Sequence, residues 1–355
     1  MTMDGDIEML QALHGDAFIL HCRKDNHEGI IVVDGGPDKD SYKIVDKLDT
    51  LGYIDLMVLT HYDDDHIGGI LAYIKKHRND KPFPVKEMWL NCAYEIPFVS
   101  SPNISFRQAK MLADELTQIN RELEANGMPL IKWKEDILYD HSIRYFPFAD
   151  ILILSPDADT KALNVDNYLD DILAANIGRG HVVQKAALQM SLDELAQIKK
   201  TLPPKTKSAI VNKSSIAFVV RCENFSALML GDSYPDTIID SLKSLGFTAE
   251  KPIKVDFLKV SHHGSRFNIS NELLDMIDCS NYLVSTNGGS GRSCHPDRET
   301  IANIVCHNKH RGEVNLFFNY PLKQIESRGY KFLKDGEQIE YAFNIYDDVQ
   351  LITKR

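Results

Sequence analysis

Residues 59–69 read LTHYDDDHIGG, and the rest of the chain is best read outward from them. Three adjacent carboxylates, Asp63, Asp64 and Asp65, stand between His61 and His66, directly after an apolar run. Like charges packed this tightly repel, so a folded chain needs something to hold them together. A divalent cation would do so, because Asp and His are the side chains that bind Zn2+ or Mn2+ through oxygen and nitrogen. An acidic turn at a helix start is the plainer alternative. It accounts for Asp64 or Asp65 alone, but not for the flanking histidines.

The apolar run DLMVLT (55–60) predicts a strand, which puts the acidic cluster on a loop at its end. Ile67, Ile70, Leu71 and Ile74 recur at helical spacing and predict a helix starting just after His66. Upstream, DAFILHC (16–22) and GIIVVDGG (29–36) predict two antiparallel strands. Downstream, SSIAFVVRC (214–222), FSALMLGDS (225–233), VDFLKVSHHGS (255–265), NYLVSTN (281–287) and VNLFFNY (314–320) read as strands. A helix is predicted from about Asp297 to His307.

Between about 100 and 205 the texture is helical. Leu112, Leu116, Ile119 and Leu123 mark a helix that Asn126–Gly127 would end, and Ser191 and Glu194 are spaced as a capping box. ADILILSPD (149–157) interrupts as a strand. These helices serve as packing, as a lid or as a dimerisation face. Two mixed sheets facing each other, with helices outside, satisfy the whole order.

Composition bounds the function. Of 355 residues, 43% are hydrophobic and 26% charged, values of a globular protein with a sizeable core. No apolar stretch reaches the roughly 18 residues of a membrane span. The N-terminus MTMDGDIEMLQALHGD lacks the pattern of a secretory signal, and the six cysteines form no CxxC pair, so a reducing cytoplasm is expected. A net charge of −11 argues against wrapping duplex nucleic acid, which needs a broad basic face.

Four polar clusters each lie at the C-terminal end of an apolar strand: Asp34, His61–His66, Asp232 and the pair His262–His263. Loops at one edge of a rigid scaffold are where ligands converge. The HxDxDH motif of His61, Asp63, Asp65 and His66 resembles the metal signature of metallo-β-lactamase-fold hydrolases. Its third-position aspartate is similar to that of the competence protein ComEC and of phosphorylcholine esterases. GDAFIL (15–20), DGGP (34–37), NKSS (212–215), LKVSHHGS (258–265) and HP (295–296) extend the resemblance over roughly 1–95 and 205–320.

The resemblance implies an α/β (α+β) chain folded as an αββα sandwich of two mixed sheets. Residues 1–355 would form one domain, with helical insertions at about 100–205. It also implies two divalent ions, Zn2+ or Mn2+. His61 and Asp63 would hold one ion, and Asp65, His66 and a histidine of the 262–263 pair the other, with Asp232 bridging. His263 is the preferred ligand because it precedes Gly264, which leaves His262 as a supporting group or proton donor. Asp34 would hold the motif loop by hydrogen bonds without touching metal. Asn212 stands near the place where many relatives carry a further histidine, so the first site is oxygen-rich and Mn2+ stays open beside Zn2+. Two cations against Asp63, Asp65 and Asp232, with a bridging hydroxide, leave the centre near neutral. Metal-bound water can have its pKa lowered from 15.7 to about 7.

His295, in NGGSGRSCHPD (287–297), reads either as a phosphate contact or leaving-group acid, or as a turn residue before proline. Arg266 and Arg292 flank these loops as forked phosphate ligands or as solvated rim charges. Asp64, His21, His77, His181, His307 and His310 read as structural or exposed, and Cys222 and Cys294 as small buried groups. The expected function is a metallohydrolase of a phosphodiester or phosphoester, with Asp65, His262 and His295 in the chemistry and Arg266, Arg292 and Asn212 toward substrate. Short or single-stranded nucleic acid suits the acidic charge better than duplex. Two alternatives stand beside it. One is hydrolysis of a carboxylic ester, lactone or amide on the same metals. The other is a non-catalytic scaffold meeting a partner or a second copy through the 100–205 helices.

Overall fold

A computed structural model describes residues 6–91, 104–162, 185–198, 207–223, 225–289, 294–308, 312–328 and 331–354. Arg292, His181 and His310 lie outside the described residues.

Strands β1 (Asp6–Met9), β2 (Phe18–Lys24), β3 (His27–Val33), β4 (Ile54–Val58), β5 (Val85–Trp89) and β6 (Lys132–Lys134) join β17 (Leu351–Thr353) in one sheet, ordered β17-β1-β2-β3-β4-β5-β6. The second sheet contains β7 (Ile143–Phe146), β8 (Ala149–Ser155), β9 (Ala217–Arg221), β10 (Ser226–Met229), β12 (Phe257–Lys259), β14 (Asn281–Val284), β15 (Asn315–Phe318) and β16 (Asn344–Tyr346). Its order is β16-β15-β14-β12-β10-β9-β8-β7, and a short pair, β11 (Ile253–Lys254) with β13 (Ile277–Asp278), lies apart. Each large sheet is antiparallel on one side and parallel on the other. The predicted αββα arrangement of two mixed sheets is what the chain adopts.

Period-two alternation explains why the central strands are apolar throughout. Ile31, Val33, Leu56 and Val58 point between the sheets, where they meet Ile151, Phe218, Val220 and Met229. Val32 and Met57 point the other way, under helices α1 (Ser41–Asp49), α2 (Asp64–Lys76) and α3 (Ile104–Ala125). A strand buried on both faces reads as a continuous hydrophobic run. On the far side of the second sheet Leu228, Leu258 and Tyr282 pack against Ile238, Leu242, Ile301 and Ile304 of the outer helices. Each fully buried side chain of this size stabilises by about 1.5–3 kcal/mol.

Two readings change. Helix α2 begins at Asp64, not after His66, because acidic side chains in a first turn meet the positive end of the helix dipole. The 100–205 segment is not only helical: β6 extends the first sheet, and β7 with β8 extends the second. Its long helix α3 buries Leu112, Leu116, Ile119 and Leu123 in the core under the first sheet. The capping box at Ser191 and Glu194 is present on both of its hydrogen bonds.

The HIGG and DGG segments exist for one joint. A Cβ on Gly69 would stand 2.1 Å from the Gly35 carbonyl oxygen, and one on Gly68 2.0 Å from Asp38 N. Gly35 N donates to His66 O (2.8 Å) and Gly69 N to Gly36 O (3.2 Å), so helix α2 lies directly on the loop after β3. Gly69→Ala is therefore expected to destabilise the fold by about 1–3 kcal/mol. The check is a lower urea midpoint at unchanged slope.

Candidate metal centre

The C-terminal ends of β3, β4, β10 and β12 meet at the seam between the two sheets. Ile216 N donates to Thr60 O across that seam (2.8 Å), and Ser215 Oγ lies 3.3 Å from His61 Nδ1. All four expected clusters arrive together there. His61 Nε2 stands 3.8 Å from Asp63 Oδ2 and 3.9 Å from Asp232 Oδ2. His66 Nε2 stands 3.6 Å from Asp232 Oδ1 and 3.9 Å from Asp65 Oδ1, and His263 Nε2 is 3.3 Å from Asp65 Oδ2. Asp63 occupies the N-cap position of α2 but makes no side-chain capping bond; its carboxylate is turned to His61 instead.

The loop holding these groups is fixed from behind. Asp34 accepts from Thr60 N and Thr60 Oγ1 (2.8 Å each), and its Oδ2 lies 2.9 Å from His66 Nδ1. That bond leaves His66 Nε2 facing the centre, the role a buried carboxylate plays behind a ligating histidine. Asp34, His262 and His263 all adopt left-handed backbone, at φ 60, 49 and 55. Such conformations outside glycine persist only where the surroundings dictate them, and they cluster at functional sites.

His262 and His263 both reach the centre, toward different carboxylates. His263 is nearly fully buried, and its Nδ1 is held by Ser285 O (3.0 Å). His262 is more open; its Nε2 faces Asp232 Oδ2 at 3.6 Å, with Nδ1 held by Asn268 Oδ1 (3.1 Å). Asn212 Nδ2 lies 3.4 Å from that same Nδ1, so it supports His262 from behind. His295 sits at the rim, its ring 5.4 Å from the His262 ring and its Nδ1 3.6 Å from Asp297 Oδ2. Arg266 gives its guanidinium to Glu299 (3.2 Å). Asp64 turns away to Gln108 Nε2 of α3 (2.9 Å).

Two residues at the centre were not singled out from the sequence, Asp16 and Lys259. Asp16, Asp232, His66 and His263 offer ligand atoms that all lie within 4.8 Å of one another. The only sequence signals were their places inside GDAFIL and LKVSHHGS, where neither spacing nor charge marks them out.

Whether these residues fit a cation can be judged from their unmet needs. Among the described residues, His61 Nε2, His66 Nε2 and Asp232 Oδ1 are buried without a hydrogen-bond partner. Each such group costs about 1–3 kcal/mol if left so. Nitrogen lone pairs and carboxylate oxygens converging on one space are the donor set of a divalent ion, so the residues fit. Electrostatics agree. Burial, with the Asp65 charge behind it, pushes Asp63 up to about 7. Burial and the neighbouring His66 drive His61 down to about 3. Burial also opposes charging His263, but the Asp16 and Asp65 carboxylates overcome it and push that imidazole up to about 10.

Two outcomes follow. The His263 value of about 10 lies above its ordinary 6.5, so this group's stabilisation of the metal-free protein is complete below pH 6.5. It is lost as pH rises through 10; Asp63, raised from 3.8 to about 7, works in the same direction at lower pH. Urea unfolding in the presence of a chelator should show that loss between pH 6.5 and 10, and saturating Zn2+ should flatten it. Separately, Asp34→Ala should weaken Zn2+ binding about 10–100-fold, measured by chelator competition.

Residues 13–138 match the family described as Metallo-beta-lactamase superfamily. No curated protein matches the chain. Among solved structures, Zn2+-bound PqqB from Methylobacterium extorquens aligns at 9% identity over 98% of this chain and 100% of that one, with a TM-score of 0.40. A variant of CmlA beta-hydroxylase aligns at 11% identity over 100% of this chain, with a TM-score of 0.38. This chain spans 54% of the length of that structure. A metallo-beta-lactamase from Cronobacter sakazakii aligns at 14% identity over 71% of this chain and 73% of that one, with a TM-score of 0.30. The matched segment carries the HxDxDH motif, and the two facing mixed sheets are consistent with the metallo-beta-lactamase fold.

Proposed function

We propose that the protein is a dinuclear metal-dependent hydrolase acting on a phosphodiester or related phosphoester. One observation carries the dinuclear reading. Asp232 presents Oδ1 to His66 (3.6 Å) and Oδ2 to His61 (3.9 Å) and His262 (3.6 Å), one oxygen to each half of the centre. His61, Asp63 and Asp232 Oδ2 would hold one ion; Asp65, His66, His263 and Asp232 Oδ1 would hold the other. When bound, such ions supply Lewis acidity and lower the pKa of water.

The remaining work falls to the chain. Thr60 and Asp34 fix the direction in which His66 points. Burial, reinforced by His295, holds His262 below its ordinary value against the pull of Asp232, so it stays neutral at pH 7 and can accept a proton. His295, backed by Asp297, stands at the open rim where a leaving oxygen would need a proton. Arg266 is engaged by Glu299, so the phosphate preference rests on the similarity of HxDxDH, NKSS and LKVSHHGS to the ComEC and phosphorylcholine-esterase branch. Among nucleic acids, a short or single-stranded substrate suits the chain's charge of −11 better than a long duplex.

The test is metal analysis of the purified protein coupled to turnover of bis(p-nitrophenyl) phosphate with added Zn2+ or Mn2+. Wild type should hold about two ions per chain and hydrolyse the diester, and Asp63→Ala with His66→Ala should lose both properties. Turnover of a lactone or carboxylic ester with no action on any phosphodiester would move the substrate to the acyl class. A wild type as inactive as the double variant on every substrate would leave the scaffold reading.

A further inference from the structure

Lys259, the last residue of β12, has a side chain only 1% exposed. An ammonium is buried this deeply only where carboxylates offset its lost hydration. Its Nζ lies against the carboxylate of Asp16, which is equally buried, donates to Gly231 O (2.8 Å) and stands 3.7 Å from Asp232 Oδ1. Asp16 also faces the metal ligands, with Oδ1 3.4 Å from His263 Nδ1. Two roles therefore compete for Asp16: ligand to an ion, or counterion to Lys259. The approach of Lys259 is the closer of its contacts.

We infer that Lys259 is a permanent cation of the centre, which retains Asp16 as its counterion and holds Asp232 in place before any metal arrives. Lys259 touches no reacting atom and acts through Asp16 and Asp232, so it is a positioning residue. The backbone supports this assignment. Asp16 N donates to Asp65 O (3.2 Å), and Gly36 N donates to Asp16 O (2.7 Å), so Asp16 is locked between the first turn of α2, which carries Asp65, and the loop that carries Asp34. The ammonium, entering from the opposite sheet, meets it at a fixed point. Without ions the Lys259 charge joins two buried carboxylates. With ions bound, Asp232 gains another source of positive charge, and Lys259 is needed mainly for Asp16.

This inference rests on the metal-centre reading, and its test separates the two. Melting temperatures of wild type, Lys259→Met and the double variant Asp16→Asn/Lys259→Met are compared after chelation and again with saturating Zn2+. Metal content is measured on the reloaded samples. Lys259→Met should lower the metal-free melting temperature by roughly 5–10 °C, the effect of stranding buried carboxylates. Zn2+ should return at least half of that loss, and Asp16→Asn should return much of it without metal. The double variant should keep the wild-type Zn2+ stoichiometry. An equal loss with and without Zn2+ would reduce Lys259 to packing. Failure of Asp16→Asn to relieve the loss, or loss of one Zn2+ from the double variant, would overturn the pairing. If Lys259→Met yields no folded protein, a folded double variant supports the inference and an unfolded one overturns it. A wild type that takes up no Zn2+ or Mn2+ sinks the metallohydrolase reading, while the metal-free comparison still decides the Lys259–Asp16 pairing.

Discussion

Negative charge gathered at a buried seam is the constraint on which this molecule depends. Asp16, Asp34 and Asp232 are buried, and Asp63 and Asp65 stand beside them where the two sheets bring their strand ends together. Such a group of carboxylates stays folded only if positive charge or hydrogen-bond donors reach each one. The chain meets that need in layers. Thr60 and His66 serve Asp34, Lys259 serves Asp16, and His263 serves Asp65. Asp232 is the carboxylate that faces both halves of the centre, and its Oδ1 keeps no hydrogen-bond partner among the described residues. The architecture is arranged to leave that oxygen and two imidazole nitrogens available to an ion.

Rigidity behind the centre follows from the same need. A ligand set works only if its members cannot relax toward one another. The glycine joint between α2 and the loop after β3 clamps the motif at backbone distance, and the Ile216–Thr60 bond ties it to the second sheet. His262 and His263 hold left-handed backbone because their neighbours leave them no other place.

Much of this was legible in the residues, for identifiable reasons. GIIVV and DLMVL declare strands buried on two faces, and the HxDxDH and HHGS segments carry their chemistry locally, so spacing alone reveals them. What escaped was either very short or very long in range. β6 and β7 span three and four residues, too few for any periodicity to register, so their segment read as helical. Asp16 and Lys259 lie far apart in the chain, and a charge pair of that separation leaves no trace in local pattern. The start of α2 moved to Asp64 because two acidic residues both favour a helix's first turn and resemble a loop ligand run. Arg266 looked free to meet phosphate because Glu299, its partner, stands on a different element.

The seam also dictates when in the life of a chain an ion can be enclosed. Roughly 200 residues separate His66 from His263, so at ribosomal speeds about 10–40 s pass between the first histidine's synthesis and the last one's. Until β10 and β12 dock, the acidic run after Thr60 is held from the first sheet's side alone, by Asp34 and the backbone of Asp16 and Gly35. An ion held by groups of both sheets would then be captured late in biogenesis, once Asp232 and His263 have joined the first sheet's His61 and His66.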